Sequence, residues 1–485
     1  MHPSAGRASD SDLARWYLQR SQRAHRTLWA LPLLAFLTMF VVVLMLRTGA
    51  SDPDANLKQT RAEFMATKPA AIPPASNAVT VLSQAFAAHA RFNAQVGAIA
   101  SADPDTKLDA PSSYFEDNAV IAFYQSNANC IALLKSAAGM SACNWDLNYS
   151  AGPSMLMPHL AQIRASCRLL AGSARLKAHS GDHAGAASDI AAIYKLAEFT
   201  ESDPVLISGL VSMACSGIAD SAIETILAFD APEKMEDLEH YRKALVTDRK
   251  TKERVLKFIR AERLFALLCV DLIGANAINP AVMGTGLPGV VPPAAVNLFY
   301  GPDRELTQKV FDEYVKQIEA RGPSQKNSLE ALVDKHQEGP AILTRSVIPA
   351  LSRAELSFLR DQENAALLQL AIAVHAFRLK HKKDPQSLDE VVPEFLPKLP
   401  VSVFEGSQFS LRQDIGETNA IHTVRGAFSG KPVLRVYSWG EDGVDNSGLE
   451  AGRNSGPDRV IRLVPLSSAA AEDVEKAEPL QERDE

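Results

Sequence analysis

Cysteine is scarce: the 485 residues contain five, at positions 130, 143, 167, 215 and 269, so at least one thiol is left without an intramolecular partner. No Cys-x-x-Cys occurs, which removes the usual grounds for a structural zinc or a thioredoxin-type redox site. The motifs HExxH, GxSxG, Walker A and SxxK are absent as well, so no catalytic signature with a known mechanism is present. Aromatic residues are few, at 7%, and small helix formers fill the apolar quota, which favours helix. Hydrophobic residues at 46% and charged residues at 22% exclude wholesale disorder, collagen and a disulfide-knot framework. A chain of this length is expected to form two or three domains, with cores that need neither metal nor disulfide.

Long apolar runs are equally rare. One stands out, Leu28 to Leu46, nineteen residues without a charge. At 1.5 Å per helical residue it matches a hydrocarbon core about 30 Å thick. Residues 1–27 carry five arginines against Asp10 and Asp12, a net +3. This bias places the N-terminus in the cytoplasm and the rest of the chain, net −10, outside it. Thr48-Gly49-Ala50 loosely resembles a signal-peptidase site, but the charged lead and the apolar run are both too long for a cleaved signal. The expectation is a single-pass inner-membrane protein of a bacterium, its bulk periplasmic.

Residues 49–76 read as a polar, Ala/Pro-rich stalk and 77–350 as a block of helical hairpins. Leu160, Ile163, Cys167, Leu170 and Ala174 recur at helical spacing. His179-Ser-Gly-Asp-His183 breaks the pattern with turn residues, and Ala187, Ile190, Ala191, Tyr194 and Ala197 resume it. This predicts a helical hairpin over 160–199, similar to a tetratricopeptide unit but without a regular 34-residue period. Asp203-Pro204 and Asp230-Ala-Pro-Glu233 read as capped starts of further helices. Residues 275–302 read as a Gly/Pro loop, with helices expected at 303–321 and 353–381. Residues 351–466 change character: a short helix at Pro385–Pro393, then alternating runs at 409–411, 433–437 and 459–463 that predict antiparallel strands. Residues 467–485 carry seven acids against two bases and read as a disordered tail.

Three stretches carry a resemblance together: MPHLAQIRASCRLLAGSARLKAHSGDHAGAASDIAAIYKLAEF with the helix after it, ALLQLAIAVHAFRLKHKKDPQSLDEVVPEFLPKLPVSVFEG, and VLRVYSWGEDGVDNSG. Their combination resembles uncharacterised membrane-anchored bacterial proteins of planctomycete type. The C-terminal part of that group is similar to the globular domain of the type II secretion major pseudopilin. The resemblance implies a helix–sheet, pseudopilin-like fold at the C-terminus. With the patterns above, the expected fold is mainly α: one transmembrane helix, a helical-hairpin block and a C-terminal α+β domain with a small antiparallel sheet. It also implies a calcium loop around Asp442 and Asp445. In the reading of the residues themselves, Asn446 and backbone carbonyls add oxygens and Asp458 closes the site from the start of the next strand. The chain departs from the pattern at Pro400-Val-Ser-Val-Phe404-Glu-Gly406, which lacks the Asp-Pro of the usual turn, and at Asp445-Asn-Ser-Gly448, where Asn446 replaces a second Asp. The alternative for this loop is a set of Asx turns, in which the same side chains cap their own backbone.

Other candidate chemistry is thin. Gly284-Thr-Gly-Leu-Pro-Gly289 matches a dinucleotide fingerprint, but prolines at 280, 292 and 293 disrupt the strand and helix that such a loop needs. His179 and His183 have metal spacing, yet Gly181 places them at a hairpin tip read as solvated. The basic run Arg249–Arg254 with Lys257, Arg260 and Arg263 reads as a solvated helix face. No nucleic-acid partner is expected, because the inferred topology keeps it outside the cytoplasm. Cys130 and Cys143 are close enough in sequence for a disulfide that geometry alone decides. Cys167, Cys215 and Cys269 sit within apolar patterns as small buried hydrophobes. The leading expectation is a non-enzymatic bitopic envelope protein that binds envelope proteins or peptides, linked to secretion or envelope organisation. The rival is an extracytoplasmic hydrolase with its site in a cleft of the helical block.

Overall fold

The computed structural model describes residues 52–96, 112–278, 293–322, 332, 342–415, 432–448 and 458–464. The segments expected at 1–27, 28–46 and 467–485, and the Gly284–Gly289 motif, lie outside the described residues. What is described is mainly helical, with one small antiparallel sheet.

Helix α1, Pro53–Ala66, starts with Pro at a position where its missing N–H costs nothing. The Asp52 carboxylate caps the Asp54 and Ala55 amides. It occupies the expected stalk, and here the structure corrects the sequence reading. Phe64 is fully buried, with ring centroids 5.2 Å from Tyr149 and 5.9 Å from Phe265. The Thr60 hydroxyl donates to Asp271 at 2.7 Å. Burying the Phe64 side chain alone is worth about 2–3 kcal/mol, so this segment is docked on the body rather than held away from it.

Three helices follow: α2 (Ala78–Val96), α3 (Asn118–Ser126) and α4 (Ala128–Ala138). The predicted hairpin is present as α5 (Pro158–His179) and α6 (His183–Thr200). Gly181 takes φ +84° in the turn, a region open to glycine, and the Asp182 carboxylate accepts the Gly185 amide at 2.8 Å. Ile163, Cys167 and Leu170 on one helix and Ala187, Ile190 and Tyr194 on the other are all buried.

Helices α7 (Leu206–Phe229) and α8 (Met235–Ala244) begin later than the expected capped starts. The acids read as caps are taken by tertiary contacts. Asp203 accepts the Tyr149 hydroxyl at 3.0 Å, and Asp230 is paired with His179 and Arg175. Glu262, from the next helix, accepts the Leu206 amide in their place. Helix α7 is long and apolar enough to cross a membrane by length and composition, yet 61% of its most apolar window is buried within the protein. It packs on α5, α6 and α11.

Helix α9 spans Thr251–Gly274. Helix α10 (Pro293–Arg321) begins ten residues before its expected start, inside the segment read as a Gly/Pro loop. Helix α11 runs over Ile342–His381, so the expected domain boundary at 350/351 falls within a single helix. The sheet has order β1 (Phe409–Ile415), β2 (Pro432–Ser438), β3 (Arg459–Leu463), antiparallel throughout, with Leu411 opposite Val436 and Val436 opposite Ile461. Leu434, Val436, Ile461 and Leu463 join the same hydrophobic cluster as Leu367, Leu370 and the α5–α6 hairpin. The helical block and the sheet therefore share one core.

Candidate binding groove and a buried ion-pair network

A groove of about 500 Å³ lies between α8, α11 and the segment 394–397. Its floor is apolar, formed by Leu238, Leu245, Ile372, Ala373, Ala376 and Leu396. These residues come to one place because Leu238 lies on α8, Leu245 caps its C-terminal end, and 372, 373 and 376 lie on one face of α11. Met235, 45% exposed, and Phe395 form its walls. The rim is charged. Glu239 pairs with Arg242 and Lys243, and Glu394 pairs with Lys380 and His381.

The supports of the groove are buried and polar. Tyr241 on α8 is fully buried, with its hydroxyl 2.9 Å from His183 Nδ1. His375 Nε2 donates to the Pro232 carbonyl at 2.8 Å, holding the connection that leads into α8. Burial lowers the pKa of both imidazoles, so at neutral pH they act as uncharged hydrogen-bonding groups. This corrects the reading of His179 and His183 as a solvated tip: His183 is buried, and His179 is 3.0 Å from Asp230. The short turn at Leu388–Val391 carries a capping box between Ser387 and Glu390. The Leu396 amide donates to the Val391 carbonyl.

The second polar feature is an ion-pair network. Arg249 donates to Asp220 at 2.6 Å and lies 3.8 Å from Asp361. Arg254 reaches Asp361 and Glu201, both at 2.7 Å. The Tyr194 hydroxyl donates to the same Asp220 oxygen as Arg249. Burial pushes the Asp220 carboxyl up, with Arg249 opposing it, and burial also raises the Tyr194 phenol. The network ties α6, α7, α9 and α11 together beside a pocket of about 390 Å³ lined by Tyr194, Ser212, Ser216, Arg249 and Arg254. It corrects the reading of the basic run as a solvated face in part: Lys252, Lys257 and Arg260 are exposed as expected, but Arg249, Arg254 and Arg263 are drawn into ion pairs. Arg249 is buried, Arg263 pairs with Asp312, and Arg260 pairs with Glu319. The acids that neutralise the run come from helices distant in sequence. In this network each carboxylate faces a guanidinium, the pattern of a lock between helices rather than of an acid and base held ready for proton transfer.

The loop singled out for calcium holds itself together. Asp442 accepts the Val444 amide at 3.0 Å. Asp445 accepts the Ser447 amide at 2.7 Å and the Tyr437 hydroxyl at 3.2 Å. Asp458 accepts the Gly448 amide at 2.8 Å, and the Asn446 amide group donates to it at 3.4 Å. Gly440, Gly443 and Gly448 all have positive φ. Among the described residues no group of three or more His, Cys, Asp or Glu side chains is placed to hold one metal ion. These are the hydrogen bonds of the Asx-turn alternative. The neighbouring turn without its Asp-Pro is held from α11: Glu363, fully buried, accepts Ser402 Oγ at 2.7 Å and the Val403 amide at 3.0 Å. Cys130 and Cys143 are buried free thiols, and Cys130 donates to the Ala85 carbonyl.

No known family model, curated protein or solved structure matches the chain. The groove is the feature that sequence reasoning missed. Its only local signal was the spacing of Leu238, Tyr241 and Leu245, which marks an apolar helix face without saying what leaves it open.

Proposed function

We propose that the protein is a non-enzymatic, single-pass envelope protein that docks a peptide segment of a partner in the groove between α8 and α11. In this reading Leu28–Leu46 anchors it, the N-terminus is cytoplasmic, and the helical block with its long helix and sheet faces the periplasm. The observation that supports docking is a concave groove between α8 and α11, with Met235 exposed and Phe395 half-exposed on its walls and a charged rim whose acids are already paired. Covering those walls removes apolar surface from water, while the rim asks for little desolvation. The resemblance of the C-terminal part to the pseudopilin globular domain agrees with a long helix followed by a three-stranded antiparallel sheet. Calcium in the Asp442–Asp458 loop is not part of this proposal.

The test uses the full chain in its own membranes. Wild type and Met235→Asp are isolated in parallel, and their melting curves are compared. A defined partner retained by the wild type and lost from an equally stable Met235→Asp variant supports docking. Retention by both sinks it. Turnover of an envelope polymer that survives Met235→Asp but fails on Tyr194→Phe would favour a hydrolase beside the ion-pair network.

A further inference from the structure

Cys167 on α5 and Cys215 on α7 are both fully buried free thiols in one core cluster, and the neighbouring Cys215 raises the pKa of Cys167. The helices that carry them pack directly together. Cys167, Ala171 and Ala174 follow one another at helical spacing on α5, as do Cys215, Ala219 and Ala222 on α7, and all six are buried. Two faces of cysteine and alanine let helix axes come closer than larger side chains would allow. The sequence suggested Cys130 with Cys143; the fold instead brings together two cysteines 48 positions apart.

We propose that Cys167 and Cys215 form a disulfide that staples α5 to α7 when the chain folds in the presence of a disulfide oxidant. The oxidant is an oxidised dithiol protein or a small-molecule disulfide. One cysteine, as its thiolate, attacks a sulfur of the oxidant, giving a mixed disulfide and releasing one oxidant thiolate. The second cysteine, also as thiolate, attacks the protein sulfur of that mixed disulfide. The Cys167–Cys215 bond forms and the second oxidant thiol leaves. Two electrons pass to the oxidant, and the two thiol protons go to solvent or to the departing sulfurs.

The reaction precedes complete packing. In the finished fold, burial and the neighbouring thiol hold the Cys167 thiol well above its ordinary pKa, and neither sulfur is reachable. The same burial protects the bond once made, so this is a permanent staple and not a redox switch. Helix α7 contributes a large part of the shared core and also contacts α6, α9, α11 and β3. A bond from α5 to α7 fixes the hairpin to the rest of the molecule.

The test is a thiol count on the full chain in detergent. The protein is reduced, unfolded, refolded in a mixture of oxidised and reduced glutathione, then alkylated in denaturant. The proposal expects three reactive thiols of the five, a mass lower by about 2 Da than the reduced chain, and a non-reduced peptide pair joining Cys167 to Cys215. The Cys130→Ser/Cys143→Ser variant should keep the link and expose one thiol. Five reactive thiols, or a Cys130–Cys143 link alone, overturn the proposal. Alkylation of cells at lysis reads the compartment separately. Open thiols there with closure on refolding would count against the periplasmic location and leave the staple standing.

Discussion

The guanidinium of Arg249 lies over the ring of Tyr194, 4.8 Å from its centroid, and both side chains donate to the same oxygen of Asp220. Stacking and hydrogen bonding fix the arginine in one orientation, which a lysine could not adopt. Removing one partner strands the other charge in the core. We expect Asp220→Ala to destabilise by about 3–5 kcal/mol. We expect the double variant Asp220→Ala/Arg249→Met to lose clearly less than the two single losses added together. Chemical denaturation of the four proteins measures this, and simple additivity would contradict the lock.

The hairpin carries a second prediction. Ile190 is fully buried in the same core cluster as Ile163, Cys167 and Leu170, on helices that pack together. Ile190→Asp places a carboxylate there without a partner and should cost several kcal/mol. An unchanged melting temperature would remove the packing described for α5 and α6.

That hairpin was readable from the sequence because its apolar spacing and its Gly181-Asp182 turn are local. The three strands were readable for the same reason, from short alternating runs between turn residues. The misread features all depend on distant partners. Asp203 and Asp230 look like helix caps until Tyr149, His179 and Arg175 are seen to claim them. Arg249, Arg254 and Arg263 look solvated until Asp220, Asp361, Glu201 and Asp312 arrive from elsewhere in the chain. Phe64 is one aromatic in a polar stretch, and nothing nearby in sequence announces Tyr149 and Phe265. The groove needs α8 at once with α11 and 394–397, and its α8 lining lies more than a hundred residues before the rest.

A pH dependence follows from His159. Its ring stacks on Trp145, with centroids 4.2 Å apart, and burial lowers its pKa to about 4. The unfolded value is near 6.5, so the unfolded chain takes up the proton first as the pH falls. Stability from this group is complete above about 6.5 and is lost progressively toward pH 4, on the order of 2–3 kcal/mol. His159→Phe should be less sensitive than wild type between pH 7 and 4.5 in urea denaturation. Equal sensitivity would contradict a buried neutral ring.

The Asp445 loop gives a further test. Asp445→Ala removes the acceptor for the Ser447 amide and the Tyr437 hydroxyl, at a cost of about 1–2 kcal/mol. Added calcium should leave the melting curve of the wild type where it is. A rise in melting temperature with calcium that disappears in Asp445→Ala would restore the metal reading.

The central claim is that the α8–α11 groove is a docking site, and site-directed photocrosslinking in intact membranes tests it most directly. A photoreactive amino acid is placed at Met235, on the exposed wall, and at Lys58, exposed on α1 and away from the groove. The account predicts one discrete adduct from position 235, suppressed by Leu396→Glu on the floor, and none from position 58. The same adducts from both positions, or no adduct from 235, would contradict it.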